Sequence, residues 1–456
     1  TITTFKRQSS YKLLSSKNSY VANFFAASNH HQLRFCGNKC YNHSTTQDVE
    51  DIQNGLDNST FPTIREDTLT LLLMGDTQFH FPCEEDNVQC KLVSKRPRSR
   101  FFLNSRLEFI DGVEVNETLR QGRDSCTKIE SRFANRVQRQ ALDALISSMD
   151  YKPAALVING DLTDFGHLHQ LHEFRQVWYN NFPIPFILGL GNHDYQNNIN
   201  DCALNFCAHT MLSWYTDYVK NMSLVADIQR KTVKFDVEFT GSLAYTETVC
   251  SSSRKLCAFV IQLNNAIDYN VEFSSLFVKW NISSPMKYLH NELNLLGSTS
   301  LPILLNMHQC ESMHIHKIKM MLRRWMLTVK KSFESNHRVP RIGAFYAHMH
   351  QRHEVTLECI EGYKVPFVYI GSVPNNRFTK FDMTASTATI TGYKARDSLM
   401  YNGEILEQLE TVDLWGPCVR TEHFRFEDHV TRKRRDFIRR NRNQADFSSD
   451  ASALFF

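Results

Sequence analysis

Five short fragments, far apart in the chain, each follow an apolar run and each carry side chains able to bind a metal: Gly75-Asp76-Thr77-Gln78, Gly160-Asp161-Leu162-Thr163-Asp164, Gly191-Asn192-His193-Asp194, Met307-His308-Gln309 and Ala347-His348-Met349-His350. The preceding runs, Leu69–Met74, Ala154–Ile158, Pro185–Leu188, Pro302–Leu305 and Ile342–Tyr346, are short and rich in Leu, Ile and Val. Strands buried on both faces read this way. A chain built like this delivers carboxylates, amides and imidazoles to the C-terminal tips of several strands. Groups spread from Asp76 to His350 serve one site only if one large domain folds around them.

The remaining pattern fits such a domain. From Ser131 to Met149, the apolar residues Phe133, Val137, Ala141, Leu145 and Met149 recur every four positions, with Leu142 and Ile146 beside them; this predicts an amphipathic helix packed on a sheet. Further short apolar runs are Ala258–Leu263 and Phe367–Ile370. Strands alternating with helices, then a strand-rich C-terminal half, predict an α/β fold with two stacked mixed sheets flanked by helices. Residues 1–66 are rich in Ser, Asn, Gln and Thr without periodicity and read as an N-terminal extension or pro-segment. The catalytic-type domain is expected over 67–380, a strand-rich extension over 381–430, and a basic tail over 431–456. Seven of the eleven residues Arg432–Arg442 are Arg or Lys, a solvated helix end or a convertase-type cleavage site. His314 and His316 have the alternation of a surface strand or turn.

Charge says little about partners. With 52 basic and 48 acidic residues the net is +4, too balanced to indicate nucleic acid or a membrane by its field. No stretch approaches the ~18 consecutive apolar residues of a spanning helix, and no leader segment is evident. Twelve cysteines include the close pairs Cys36/Cys40, Cys83/Cys90, Cys202/Cys207 and Cys250/Cys257. None has the CxxC form of a zinc ribbon, so loop-closing disulfides are expected, at Cys83–Cys90, Cys202–Cys207 and Cys250–Cys257 in particular, in a secreted or lumenal setting. Cys310 reads as buried or disulfide-bonded. Asn-x-Ser/Thr sequons at Asn42, Asn58, Asn116, Asn221 and Asn281 permit glycosylation without requiring it.

In order and content, the five fragments resemble those of the calcineurin-like metallophosphoesterases, two-metal hydrolases of phosphoesters, over roughly Leu69 to Ser372. The resemblance implies the αββα sandwich of that superfamily, two divalent ions (Mn, Zn or Fe) sharing a bridging hydroxide nucleophile, and a phosphoester as substrate. Asp76 and His350 would bind the first metal, Asp161 would bridge, and Asn192, His308 and His348 would bind the second. His193 would protonate the leaving group or orient phosphate, and Asp164 would orient His193 and raise its basicity.

Two positions depart from the family pattern. Gln78 stands where the first motif usually has histidine; its carbonyl is a weaker, neutral ligand, suited to a harder ion such as Mn²⁺. Ala347 stands where the last motif usually has glycine. Asp164 occupies the position of the tyrosine ligand of purple acid phosphatases, and Phe165 that of the phosphate-gripping arginine of protein Ser/Thr phosphatases. The saposin-like domain that precedes acid sphingomyelinases is not visible. Two functions follow from different classes: an active metal-dependent phosphoesterase, or a protein of that fold which kept binding and lost activity, hinted at by Gln78 alone. Specificity is expected in the loops 79–128, 195–234 and 250–279, with His80, His167, His169 and Tyr195 as neighbours of the cleft.

Overall fold

The computed structural model describes residues 67–79, 117–180, 182–222, 224–336, 338–396, 405–428 and 432. Two large mixed sheets carry the motifs. The first has six strands in the order Leu406–Asp413, Ala388–Ala395, Arg377–Met383, Leu69–Met74, Ala155–Asn159 and Phe186–Gly189. Leu69–Met74 pairs parallel with Ala155–Asn159 and antiparallel with Arg377–Met383. The second has seven, in the order Glu422–Arg425, His353–Ile360, Tyr363–Ile370, Ile342–Tyr346, Ile303–Met307, Cys257–Gln262 and Tyr245–Cys250. Its four central strands run parallel and its outer ones antiparallel.

Burial explains why the apolar runs are continuous. All six residues of Leu69–Met74 are buried, as are those of Ala155–Asn159, Ile303–Met307 and Ile342–Tyr346. Successive side chains on one strand enter different cores. Ile303, Leu305 and Met307 join the helices Met286–Leu296 and Ser312–Ser335, whereas Leu304 faces the first sheet. Phe345 meets Phe381 edge-on across the intersheet layer, with ring centroids 6.1 Å apart. On the far side of the first sheet lies the helix Glu117–Ser148, whose Val137, Ala141, Leu142 and Leu145 are buried. Phe133, expected on that face, is exposed.

The two-sheet expectation is met and extended. A third, four-stranded sheet has the order Ile228–Val233, Asp236–Gly241, Val278–Ile282 and Val271–Ser275; its first and last strands lie in two of the three loops expected to hold specificity. It is tied to the helix Phe206–Asn221: Trp280 stacks on Phe239 at 4.3 Å and donates its indole N–H to His209 Nδ1 at 3.0 Å. His314 and His316 lie on the helix Ser312–Ser335 and not on a strand; the lone alternation of two histidines was overridden by the four-residue spacing of Ile318, Leu322 and Met326, all buried. Cys202–Cys207 and Cys250–Cys257 are disulfides, and so is Cys359–Cys418, which the spacing did not reveal. Cys310 is a buried thiol. Cys83 and Cys90 lie outside the described residues.

Candidate metal centre

The motifs meet where the facing sheets bring their strand tips together. Gly75 follows Leu69–Met74, Asp161 follows Ala155–Asn159 by two residues, His308 follows Ile303–Met307 directly, and His348 lies two residues beyond Ile342–Tyr346. The loops interlock through their backbones. Asp76 N donates to Gly160 O at 3.1 Å, Gln78 N to Asp161 O at 2.8 Å, and Ala347 N to His308 O at 3.0 Å. Four of the motif residues take left-handed backbone angles: Asp76 (φ 58°), Gln78 (34°), Asp161 (52°) and His348 (66°). Such angles are uncommon outside glycine, and their concentration here marks a locally strained constellation. Close approach explains one glycine: a Cβ on Gly191 would stand 2.2 Å from Asp161 Oδ1.

Donor atoms converge within this cleft in two overlapping groups. Asp76, Asp161 and His350 form one, and Asp161, His308 and His348 the other, with the ligand atoms of each group within 4.8 Å of one another. His308 Nε2 lies 3.0 Å from Asp161 Oδ2, 3.0 Å from Asn192 Oδ1 and 3.2 Å from His348 Nδ1. His350 Nε2 lies 3.4 Å from Asp76 Oδ1. The tautomer of His308 follows from its other nitrogen. Nδ1 is 2.8 Å from the carbonyl of Asn159, an acceptor only, so Nδ1 carries the proton. In the neutral ring Nε2 then directs a lone pair at other acceptors. Both carboxylate oxygens of Asp76 are buried without a hydrogen-bond partner. Buried anionic oxygens without donors are costly unless a cation sits among them. These observations fit divalent metal ions held by oxygen and imidazole nitrogen.

Without a cation the imidazoles partition the charge. Burial lowers both His308 and His348, but the charge and hydrogen bond of Asp161 raise His308 to about 9. His348 falls to about 4 under burial and the charge of His308. Burial pushes Asp161 upward, yet His308 and His193 hold it well below the usual carboxylate range. Gln78 donates Nε2–H to Asp161 Oδ2 at 3.0 Å. The planar amide turned over would present its oxygen to the same space.

His193 sits beside the donor cluster and belongs to neither donor group. Its Nδ1 lies 3.0 Å from the backbone carbonyl of Asp164 and 3.2 Å from that residue's Oδ1, leaving Nε2 as the free end. Burial lowers its basicity, but the hydrogen bond to Asp164 and the charges of Asp161 and Asp164 carry it to about 9. The Phe165 ring meets those of His193 and His167 edge-on, with centroids 6.3 Å apart in each pair, and His169 lies obliquely to His167 at 5.6 Å between centroids. Tyr195, expected at the cleft, is buried against Tyr269. His80 lies outside the described residues.

Three buried residues support the cleft that the motif reading did not single out. Asp194 accepts from Gly191 N (2.8 Å), Thr163 N (2.9 Å), Thr163 Oγ1 (3.0 Å) and Leu162 N (3.1 Å), clamping two motif loops together. Burial and the charge of Asp161 raise its carboxyl to about 7. Asn159 donates to the Phe345 carbonyl at 2.9 Å, which ties one sheet to the other. Asn264 accepts from Leu190 N and Tyr215 Oη and donates to the Leu243 carbonyl. Asn159 carried a faint signal, an amide closing an apolar run; Asp194 and Asn264 carried none.

Residues 69–258 match the model of the calcineurin-like phosphoesterase family. That segment holds the first three motifs, while His308, His348 and His350 lie beyond it. Among solved structures, a putative 5′-nucleotidase from Staphylococcus aureus, crystallised with α-ketoglutarate, is similar at 11% identity and a TM-score of 0.37, over 76% of this chain and 54% of that one. The chain thus spans about half the length of that protein. No curated protein matches.

Proposed function

We propose, from the match of residues 69–258 to the calcineurin-like phosphoesterase family, that the chain is a metal-dependent hydrolase of phosphoesters with a dinuclear centre. The observation that carries this reading is the convergence of buried and half-buried donor atoms in two groups that share Asp161. Asp76, Gln78, Asp161 and His350 would hold one ion, and Asp161, Asn192, His308 and His348 the other. When bound, these ions would supply an activated water and neutralise phosphate charge.

The chain's own residues do the rest. Asn159 fixes Nδ1 of His308 as the protonated nitrogen, so Nε2 is the one offered to the cleft. Asp194 holds the loops of Asp161 and Asn192 in register. His193, charged at neutral pH through Asp164, keeps a proton on its free Nε2 for the departing oxygen. Asp164 positions that ring and sustains its charge. The neighbourhood of three disulfides supports an oxidising, secreted or lumenal setting.

The test is metal analysis combined with turnover of a panel of phosphomonoesters and phosphodiesters, using protein stripped of metal and reloaded with Mn²⁺, Zn²⁺ or Fe²⁺. Two ions per chain and metal-dependent turnover are expected. Bound metal without turnover of any ester would favour a binding protein of this fold, and failure to bind metal would end the reading.

A further inference from the structure

The four-stranded sheet ends in two tight turns that carry the wrong residues for their geometry. Val233 pairs with Asp236, leaving Lys234-Phe235 as a two-residue turn, and Ser275 pairs with Val278, leaving Leu276-Phe277 as another. Such turns favour Asn-Gly or Asp-Gly because the backbone goes left-handed. Here Lys234 (φ 56°) and Leu276 (φ 48°) adopt it instead. The strands that leave the turns, Asp236–Gly241 and Val278–Ile282, are parallel neighbours, and Val237 N donates to Phe277 O at 2.8 Å. Both turns therefore project from the same end of the sheet. Phe235 is 93% exposed, Phe277 68% and Leu276 66%.

We propose that these two turns are a docking surface for a phospholipid membrane. The apolar side chains stand on the tips of two neighbouring turns, and exposed apolar tips of this kind can enter the boundary between headgroups and acyl chains. Cations flank them: Arg230, Lys231 and Lys234 are exposed on the adjoining hairpin, and Lys279 is paired with Glu272. With Asp236 and Glu238 counted, the edge holds four cations against three carboxylates. Apolar insertion is thus the main attraction, and long basic side chains reach the phosphates. The bond from Trp280 to His209 couples this sheet to the helix that follows the third motif. The proposal stands without any assumption about metals.

The test is co-sedimentation of the full chain with phosphatidylcholine vesicles, with and without phosphatidylserine. Because phosphatidylcholine carries no net charge, the basic C-terminal run gives no binding to it. The wild type is expected to sediment with both. Phe235→Ser with Leu276→Ser and Phe277→Ser should lower the partition by roughly a hundredfold or more, since each large apolar side chain is worth about tenfold, with an unchanged melting curve. Lys231→Glu with Lys234→Glu should weaken only the phosphatidylserine component. Phe235→Trp should shift its emission to the blue on adding vesicles. Equal sedimentation of wild type and the triple variant, no shift of the tryptophan, or a wild-type dimer that the triple variant dissolves would each overturn the proposal.

Discussion

His193 shows how a single side chain can be assigned work by what lies on either side of its ring. Nδ1 is committed to Asp164, so only Nε2 can exchange a proton with anything in the cleft. Replacing His193 with Ala is expected to leave the metal content unchanged and to lower turnover by roughly 10²–10⁴-fold. The deficit should shrink on nitrophenyl esters, whose leaving group needs no proton; metal analysis beside kinetics on alkyl and nitrophenyl esters would check it, and loss of metal would refute it. The pH dependence follows from the same contacts. An acid held at about 9 is protonated below that value, so its contribution fades as pH rises through about 9. Asp164→Asn removes the chief raising influence and should move the alkaline limb of the rate profile to lower pH. An unmoved limb would separate Asp164 from the acid function. His193, Asp161 and the histidine donors were legible because this chemistry admits few residue types. Asp194 was not: a carboxylate serving backbone N–H groups looks, in sequence, like any turn aspartate.

Between elements, the first and last motif loops approach each other closely. A Cβ on Gly75 would stand 2.2 Å from Ala347 Cβ, so the absence of a side chain at 75 makes room for the methyl at 347. Gly75→Ala is expected to cost about 1–3 kcal/mol, and adding Ala347→Gly should recover most of it; thermal and urea denaturation of both variants would measure the pair, and equal instability of the double variant would contradict the contact. The central strands of the two large sheets could be read from sequence because burial on both faces makes them almost continuously apolar, whereas outer strands such as Leu406–Asp413 and Glu422–Arg425 are largely unburied. The third sheet could not. Ile228–Val233 is exposed at every position but its first, so neither a run nor an alternation of apolar residues announces it. Cys359–Cys418, with a separation of 59, escaped for a related cause: distance in sequence hides a pairing that topology makes, since Tyr363 next to the strand His353–Ile360 bridges to Pro417.

For the whole molecule, the candidate ligands come from both sheets, so metal binding and folding are linked. Saturating metal, at about 100 times its dissociation constant, adds about 2.7 kcal/mol, which at this size corresponds to roughly 3 °C in Tm. Chelation should remove that increment and reloading should restore it in scanning calorimetry; a melting point indifferent to both would argue against ions spanning the sheets. Reduction is a separate lever. Opening Cys359–Cys418 releases a loop worth about 4 kcal/mol by chain entropy, and Cys359→Ala with Cys418→Ala should lose much of that, whereas the Cys250–Cys257 pair, closing seven residues, should cost less. The placement of Leu69–Met74 in mid-sheet has a consequence for biosynthesis. One neighbour, Ala155–Asn159, follows soon after it, but the other is Arg377–Met383. While a ribosome is still extending the chain, one edge of that largely apolar strand has no partner for about three hundred residues, a period of about 15–60 s at usual synthesis rates. An unpaired apolar edge invites intermolecular pairing, so the nascent protein is expected to depend on chaperones until its C-terminal strands emerge.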